Sequence, residues 1–130
     1  IPKNLEGLKI VLDLCKERNI QVVAFIPPDP IEVAQEISKN VSPYAQAQTT
    51  LVADLKTIFS NYGFGFFDAS DITVYKGRNE EFIDLIHGGD LVYAKALLYM
   101  TRHDTTLQKV VSMRGLEKMI QKATGDFLSF

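Results

Sequence analysis

The 130-residue sequence contains a single cysteine, Cys15, which rules out an intrachain disulfide and any zinc site built from clustered cysteines. Cysteine scarcity does not identify a compartment, so localisation stays open. A basic excess is also missing: 14 Lys and Arg stand against 16 Asp and Glu, for a net charge of −2, which argues against DNA or RNA as partners. No apolar run approaches the roughly 18 residues needed to cross a bilayer, and no charged start followed by an apolar stretch reads as a secretory signal. Low-complexity tracts, internal repeats and dividing linkers are absent too, so residues 1–130 read as part of one domain. What is present, 46% apolar and 23% charged residues, is the composition of an ordinary globular segment.

Apolar periodicity orders that segment. Leu5, Leu8, Val11, Leu12 and Cys15 mark one face of a helix running from Asn4 to Arg18, with Asn19 as its stop. Ile20 to Ile26 is nearly all apolar and rich in β-branched residues until Pro27 and Pro28, as in a buried strand of a parallel sheet. Asp29-Pro30 predicts a helix start, with Asp29 as N-cap, and Ser42-Pro43 predicts a second, longer helix ending at Tyr62-Gly63. Phe64 to Phe67 forms a second short strand, its aromatic rings assigned to the core. Between Ala69 and Gly89 there is no sustained period, only a functional loop with a helical turn near Glu80 to Ile83, and Lys76-Gly77-Arg78 beside Glu80-Glu81 reads as a solvated turn. Leu91 to Met100 is helical behind Asp90 as N-cap, and a last helix or pair occupies Thr106 to Ala123, loosened at Gly115.

Helices between strands imply a parallel sheet with helical covers. Two short strands this apolar demand neighbours, so the chain is expected to be incomplete as a sheet. Either an amino-terminal half of the same domain completes it, or two copies associate through their open edges.

The candidate chemistry lies in Asp84-Leu85-Ile86-His87, followed by Gly88-Gly89-Asp90 at a helix start. An aspartate three residues before a histidine can share one side of a turn. Its carboxylate then accepts from one ring nitrogen while the other ring nitrogen faces a nucleophile or substrate, which makes the base half of a hydrolytic triad. A structural role for the same residues is a surface turn in which Asp84 caps backbone donors and His87 is solvated. A metal site from Asp84, His87 and Asp90 is a second chemical reading, an anion site at Gly88-Gly89-Asp90 a third. His103 is placed just beyond a helix end, where an imidazolium suits the helix dipole. None of Ser38, Ser42, Ser60, Ser70, Ser112 or Ser129 sits in a nucleophile-elbow context, and each reads as a cap or surface residue.

The Asp84 to His87 block, with the capped helix after it and the strands Ile20–Ile26 and Phe64–Phe67 before it, resembles the carboxyl-terminal half of SGNH/GDSL-type serine esterases and acylhydrolases. The likeness covers residues 4–100. It implies part of a flavodoxin-like three-layer α/β/α fold with parallel strands. It further implies hydrolysis of an ester or acetyl group on a small molecule or acylated carbohydrate, without metal or organic cofactor. His87 would be general base and acid, and Asp84 its orienter. The family's Gly-Asp-Ser block and oxyanion-hole Gly and Asn blocks have no counterpart among the 130 residues, so the resemblance puts the nucleophile upstream of Ile1 and predicts residues 1–130 alone to be inactive. The rival expectation is a non-enzymatic α/β domain used for protein association or ligand binding.

Overall fold

A computed structural model describes residues 5–84 and 86–123. Asn4, Leu85 and Ser129, on which expectations were placed, lie outside them. The order of the main elements is α1 (Glu6–Glu17), β1 (Val23–Ile26), α2 (Ile31–Lys39), α3 (Pro43–Tyr62), β2 (Gly65–Asp68), α4 (Asp90–His103), α5 (Thr105–Gln108) and α6 (Met113–Lys122), with 3-10 turns at Ile72–Tyr75 and Asn79–Glu81 between β2 and α4.

Local chemistry explains most of the boundaries. α1 stops where Asn19 enters the left-handed region at φ 55°, a conformation its short polar side chain tolerates. α2 ends the same way at Asn40, φ 53°. The Ser42 hydroxyl accepts from the Ala45 amide at 3.1 Å and Pro43 follows as first helical residue, so α3 is capped as expected; it closes at Gly63, φ 72°. Several expected boundaries differ: β1 begins at Val23 rather than Ile20, β2 is shifted by one residue to Gly65–Asp68, and α4 runs on to His103 rather than Met100. Asp29 does not cap α2, because its backbone is drawn into the sheet, donating to Ser70 O at 3.0 Å and bridging Asp71; Asn79 instead accepts the Ile31 amide at 2.8 Å. Asp90 is the first residue of α4 rather than its cap, a position where its charge suits the helix amino end. The break in the final helical stretch falls at Lys109 to Ser112, not at Gly115, whose amide the Ser112 hydroxyl caps at 3.1 Å.

β1 and β2 pair in parallel, Val23 opposite Gly65 through Ile26 opposite Asp68, as a crossover through two helices requires. Strand alternation then sorts the side chains to two faces. Ala24 and Phe66 turn toward α1 and α3, where Leu12, Ile58, Phe59 and Phe64 make a buried cluster. On the opposite face, Gly65 lies under Asp104 at the end of α4; a Cβ at residue 65 would sit 2.6 Å from the Asp104 Oδ2. A second cluster, Ala69, Ile72, Tyr75, Phe82, Val92 and Ala96, fastens the long β2–α4 connection to α4. The described residues thus form an α/β layer arrangement around two parallel strands.

The expectation that β1 is covered on both faces is not met among the described residues. Phe25 is 41% exposed, and α1 turns Ile10 (70%), Val11 and Leu14 to solvent. The reason is geometric: α4 packs on the 3-10 turns of the β2–α4 connection, and no described element lies beyond β1 in the sheet. The predicted aromatic core is uneven as well, with Phe64 buried and Phe66 and Phe67 half-buried.

Candidate functional site: the Asp84–His87 loop

After β2 the chain runs through two 3-10 turns and then folds back on itself. Phe82 and Gly88 form an antiparallel bridge, the Ile83 amide donates to His87 O at 2.8 Å, and the Gly89 amide donates to Glu81 O at 2.8 Å. This small stem ends directly in α4 and holds Asp84 and His87 at its tip. The expected helical turn near Glu80 to Ile83 is found slightly earlier, at Asn79–Glu81.

At the tip, the two Asp84 oxygens divide their work. Oδ1 accepts the Ile86 and His87 amides, both at 2.7 Å, and Oδ2 lies 2.7 Å from His87 Nδ1. The backbone donors, with the imidazole beside them, lower the Asp84 pKa to about 2, so the carboxylate stays ionised at neutral pH. An ionised acceptor opposite Nδ1 selects the tautomer with hydrogen on Nδ1, which leaves the Nε2 lone pair free. Among the described residues Nε2 has no partner, and the ring is 72% exposed against 53% for the Asp84 side chain. The turn-capping role and the imidazole-orienting geometry, posed as alternatives from the sequence, coexist in one carboxylate.

Chemically, such a pair can accept a proton at Nε2 and stabilise the resulting imidazolium through Asp84. The described residues bring no hydroxyl nucleophile to it. Ser42 and Ser112 cap helices, Ser38 donates to Gln35 O and Ser70 donates to Asp68, as expected for caps and surface residues. No group of three His, Cys, Asp or Glu among the described residues is placed to hold a metal ion, so the Asp84, His87 and Asp90 metal set is not assembled. His103 falls within the last turn of α4, not beyond it; its Nδ1 lies 2.8 Å from Tyr99 O and its ring packs on Tyr99.

No family model, curated protein or solved structure matches the chain.

Two features near the sheet's carboxyl edge escaped the sequence reading. The first is an open cleft of about 570 Å³ between α2, α3 and the residues after β2, walled by Gln35, Asn40, Gln48 and Thr49 and by Asp68 and Asp71, over an apolar floor that includes Ile31 and Val52. His87 does not line it. Behind that edge Asp29 is pushed up in pKa by burial and by the neighbouring Asp68 charge. The second is Glu81. Read as part of a solvated turn, it is fully buried, its Oε1 accepting from Lys95 Nζ and from Arg78 Nε at 3.3 Å. Charge-rich neighbours gave no local sign of this, since burial was imposed by α4 packing over the turn. The apolar residues that flank the turn, Ile72, Tyr75 and Phe82, were the available signal.

Proposed function

We propose that residues 1–130 supply the general base and its orienter to an SGNH-type serine ester hydrolase, whose nucleophile and oxyanion donors come from a segment outside these residues. The observation that carries the reading is the 2.7 Å contact between Asp84 and His87 Nδ1, with Nε2 unpartnered among the described residues, in a loop that follows the second parallel strand. Ligands in open α/β sheets bind beyond the carboxyl ends of the strands, which is where such a loop belongs.

In this mechanism a serine hydroxyl loses its proton to His87 Nε2 as its oxygen bonds to the ester carbonyl carbon. Asp84 stabilises the imidazolium. The carbonyl re-forms as the C–O bond to the alcohol breaks, and Nε2 returns the proton to the departing oxygen. Water then repeats the cycle on the acyl-enzyme, releasing the carboxylic acid and restoring the serine.

The uncovered face of α1 and β1 supports the accompanying fold reading, the carboxyl-terminal part of a flavodoxin-like α/β/α domain. α1 and α3 share one face of the sheet. Because parallel crossovers are right-handed, a strand leading into α1 from that face would lie beside β1, on the side away from β2. That is the open edge. It would bring the strand's carboxyl end, where a nucleophile is exposed in such sheets, to the same rim as the His87 loop.

The test is hydrolysis of an aryl acetate by the complete polypeptide. His87→Ala should lower kcat/KM by about 10³-fold or more while the circular dichroism is unchanged. Turnover within twofold of wild type would refute the role of His87. The exposed Ile10, Val11 and Leu14 also favour a second reading, a non-enzymatic association domain. It gains ground if the complete polypeptide contains no serine within reach of Nε2.

A further inference from the structure

Glu81 is the one fully buried carboxylate among the described residues, and taking a charge out of water is costly unless it is paired. Its pairing is directional. Oε1 accepts from Lys95 Nζ on α4 and, from the exposed side, Arg78 Nε at 3.3 Å; the Lys95 ammonium also donates at 2.9 Å to the carbonyl of Lys76, which itself holds φ 61°. Oε2 is buried with no hydrogen-bond partner among the described residues, so the carboxylate's attachment runs through one oxygen. The backbone of Glu81, meanwhile, accepts the Gly89 amide at the base of the stem that carries Asp84 and His87. Lys95 lies on the helix that the stem enters, and Gly88 packs so closely on that helix that an added Cβ would meet Val92 Cγ1 at 2.7 Å.

We propose that Glu81, through its buried pairing with Lys95, is a positioning residue that sets the register of the Asp84–His87 stem on α4. The proposal rests on the hydrolase reading only for its functional meaning; the positioning itself is structural and is measured without turnover. A pair whose sole task was stability could be exchanged for apolar side chains of similar length at little cost. A pair that sets register could not, because the apolar exchange restores burial without restoring the directional tie between the stem and α4.

The experiment follows the Asp84 carboxyl carbon and the Ile86 and His87 amides by NMR in the full chain. In wild type the carboxyl should titrate near 2, with both amides shifted by their bonds to Oδ1. In Glu81→Gln the titration should move up toward the ordinary aspartate value of about 3.9, and the two amide shifts should collapse. The double variant Glu81→Met with Lys95→Met should regain thermal stability yet keep the raised Asp84 titration. Arg102→Gln, which breaks an exposed pair with Glu117, should leave Asp84 as in wild type. An unchanged Asp84 in Glu81→Gln, or its return to about 2 in the double variant, overturns the proposal. Should neither Glu81 variant fold, amide exchange in the wild type decides. Ile83 and Gly89 protected to within tenfold of central α4 amides supports positioning, and exchange more than 100-fold faster than those amides overturns it. A loss of esterase activity in His87→Ala has no bearing on either outcome, so the two readings fail separately.

Discussion

At the scale of single residues, the Asp84 carboxylate sets the pH behaviour of the loop. Its pKa in the fold is lowered to about 2 by the His87 and Ile86 amides and the His87 ring, against about 3.9 in an unfolded chain. A depressed carboxyl favours the folded loop at pH values above the unfolded pKa, and that contribution fades as pH falls toward 2. The expected outcome is that the Ile86 and His87 amides keep their protection from exchange down to about pH 4 and lose it between pH 4 and 2, followed by exchange-coupled NMR. Protection that persists unchanged at pH 2 would contradict the hydrogen bonding to Asp84. The Tyr62 phenol shows the converse effect: its bond to Asp13 at 2.5 Å raises its pKa, a surface contact that joins α3 to α1.

Elements show which parts of the sequence speak locally. Ser42→Ala removes an acceptor from the first turn of α3 and should destabilise the chain by about 1 kcal/mol, read as a lower thermal midpoint. Gly88→Ala places a methyl against Val92 and Tyr93 and should cost about 1–3 kcal/mol, with the Phe82–Gly88 bridge weakened before α4 itself. The first of these was legible in the sequence and the second was not. A serine before a proline and an apolar stripe announces its cap through neighbours within one turn, and so do Asn19 and Gly63 at helix ends. The same holds for the two strands and for the Asp84 to His87 spacing, since three residues suffice to close that ring of hydrogen bonds. Glu81 illustrates the opposite case. Its burial depends on Lys95, distant in sequence, and a Glu in a polar stretch looks the same whether a helix covers it or water does. Asp29 departs from its expected capping role for a related reason, because its competing partner, Ser70, is supplied by the other strand's extension. The 3-10 turn at Ile72–Tyr75 is too short to leave a period, though Asp71 caps it through the Thr73 amide at 2.9 Å.

For the molecule as a whole, the light cover of the two-stranded sheet dominates, each strand being half-buried at three positions and exposed at one. α3 packs on β2, and among the described residues the outer edges of both strands are unpaired, that of β1 with Phe25, Ile20 and the outer stripe of α1 exposed beside it. An apolar edge of this kind invites strand addition. Residues 1–130 by themselves should therefore self-associate in a concentration-dependent manner by analytical ultracentrifugation. Ile10→Glu combined with Leu14→Glu should shift the population to monomer while leaving the helical circular dichroism in place. A strictly monomeric wild type at high concentration would show that the face needs no partner. Among the described residues no helix is long and apolar enough to cross a membrane.

The parallel register has a consequence for biosynthesis. Val23 finds its partner in Gly65, about 40 residues later, and a ribosome adding about 5–20 residues per second needs roughly 2–8 s to deliver it. For those seconds the nascent Val23–Ile26 segment has no β2 to pair with. Slowing synthesis between residues 30 and 60 should lengthen that unpaired interval.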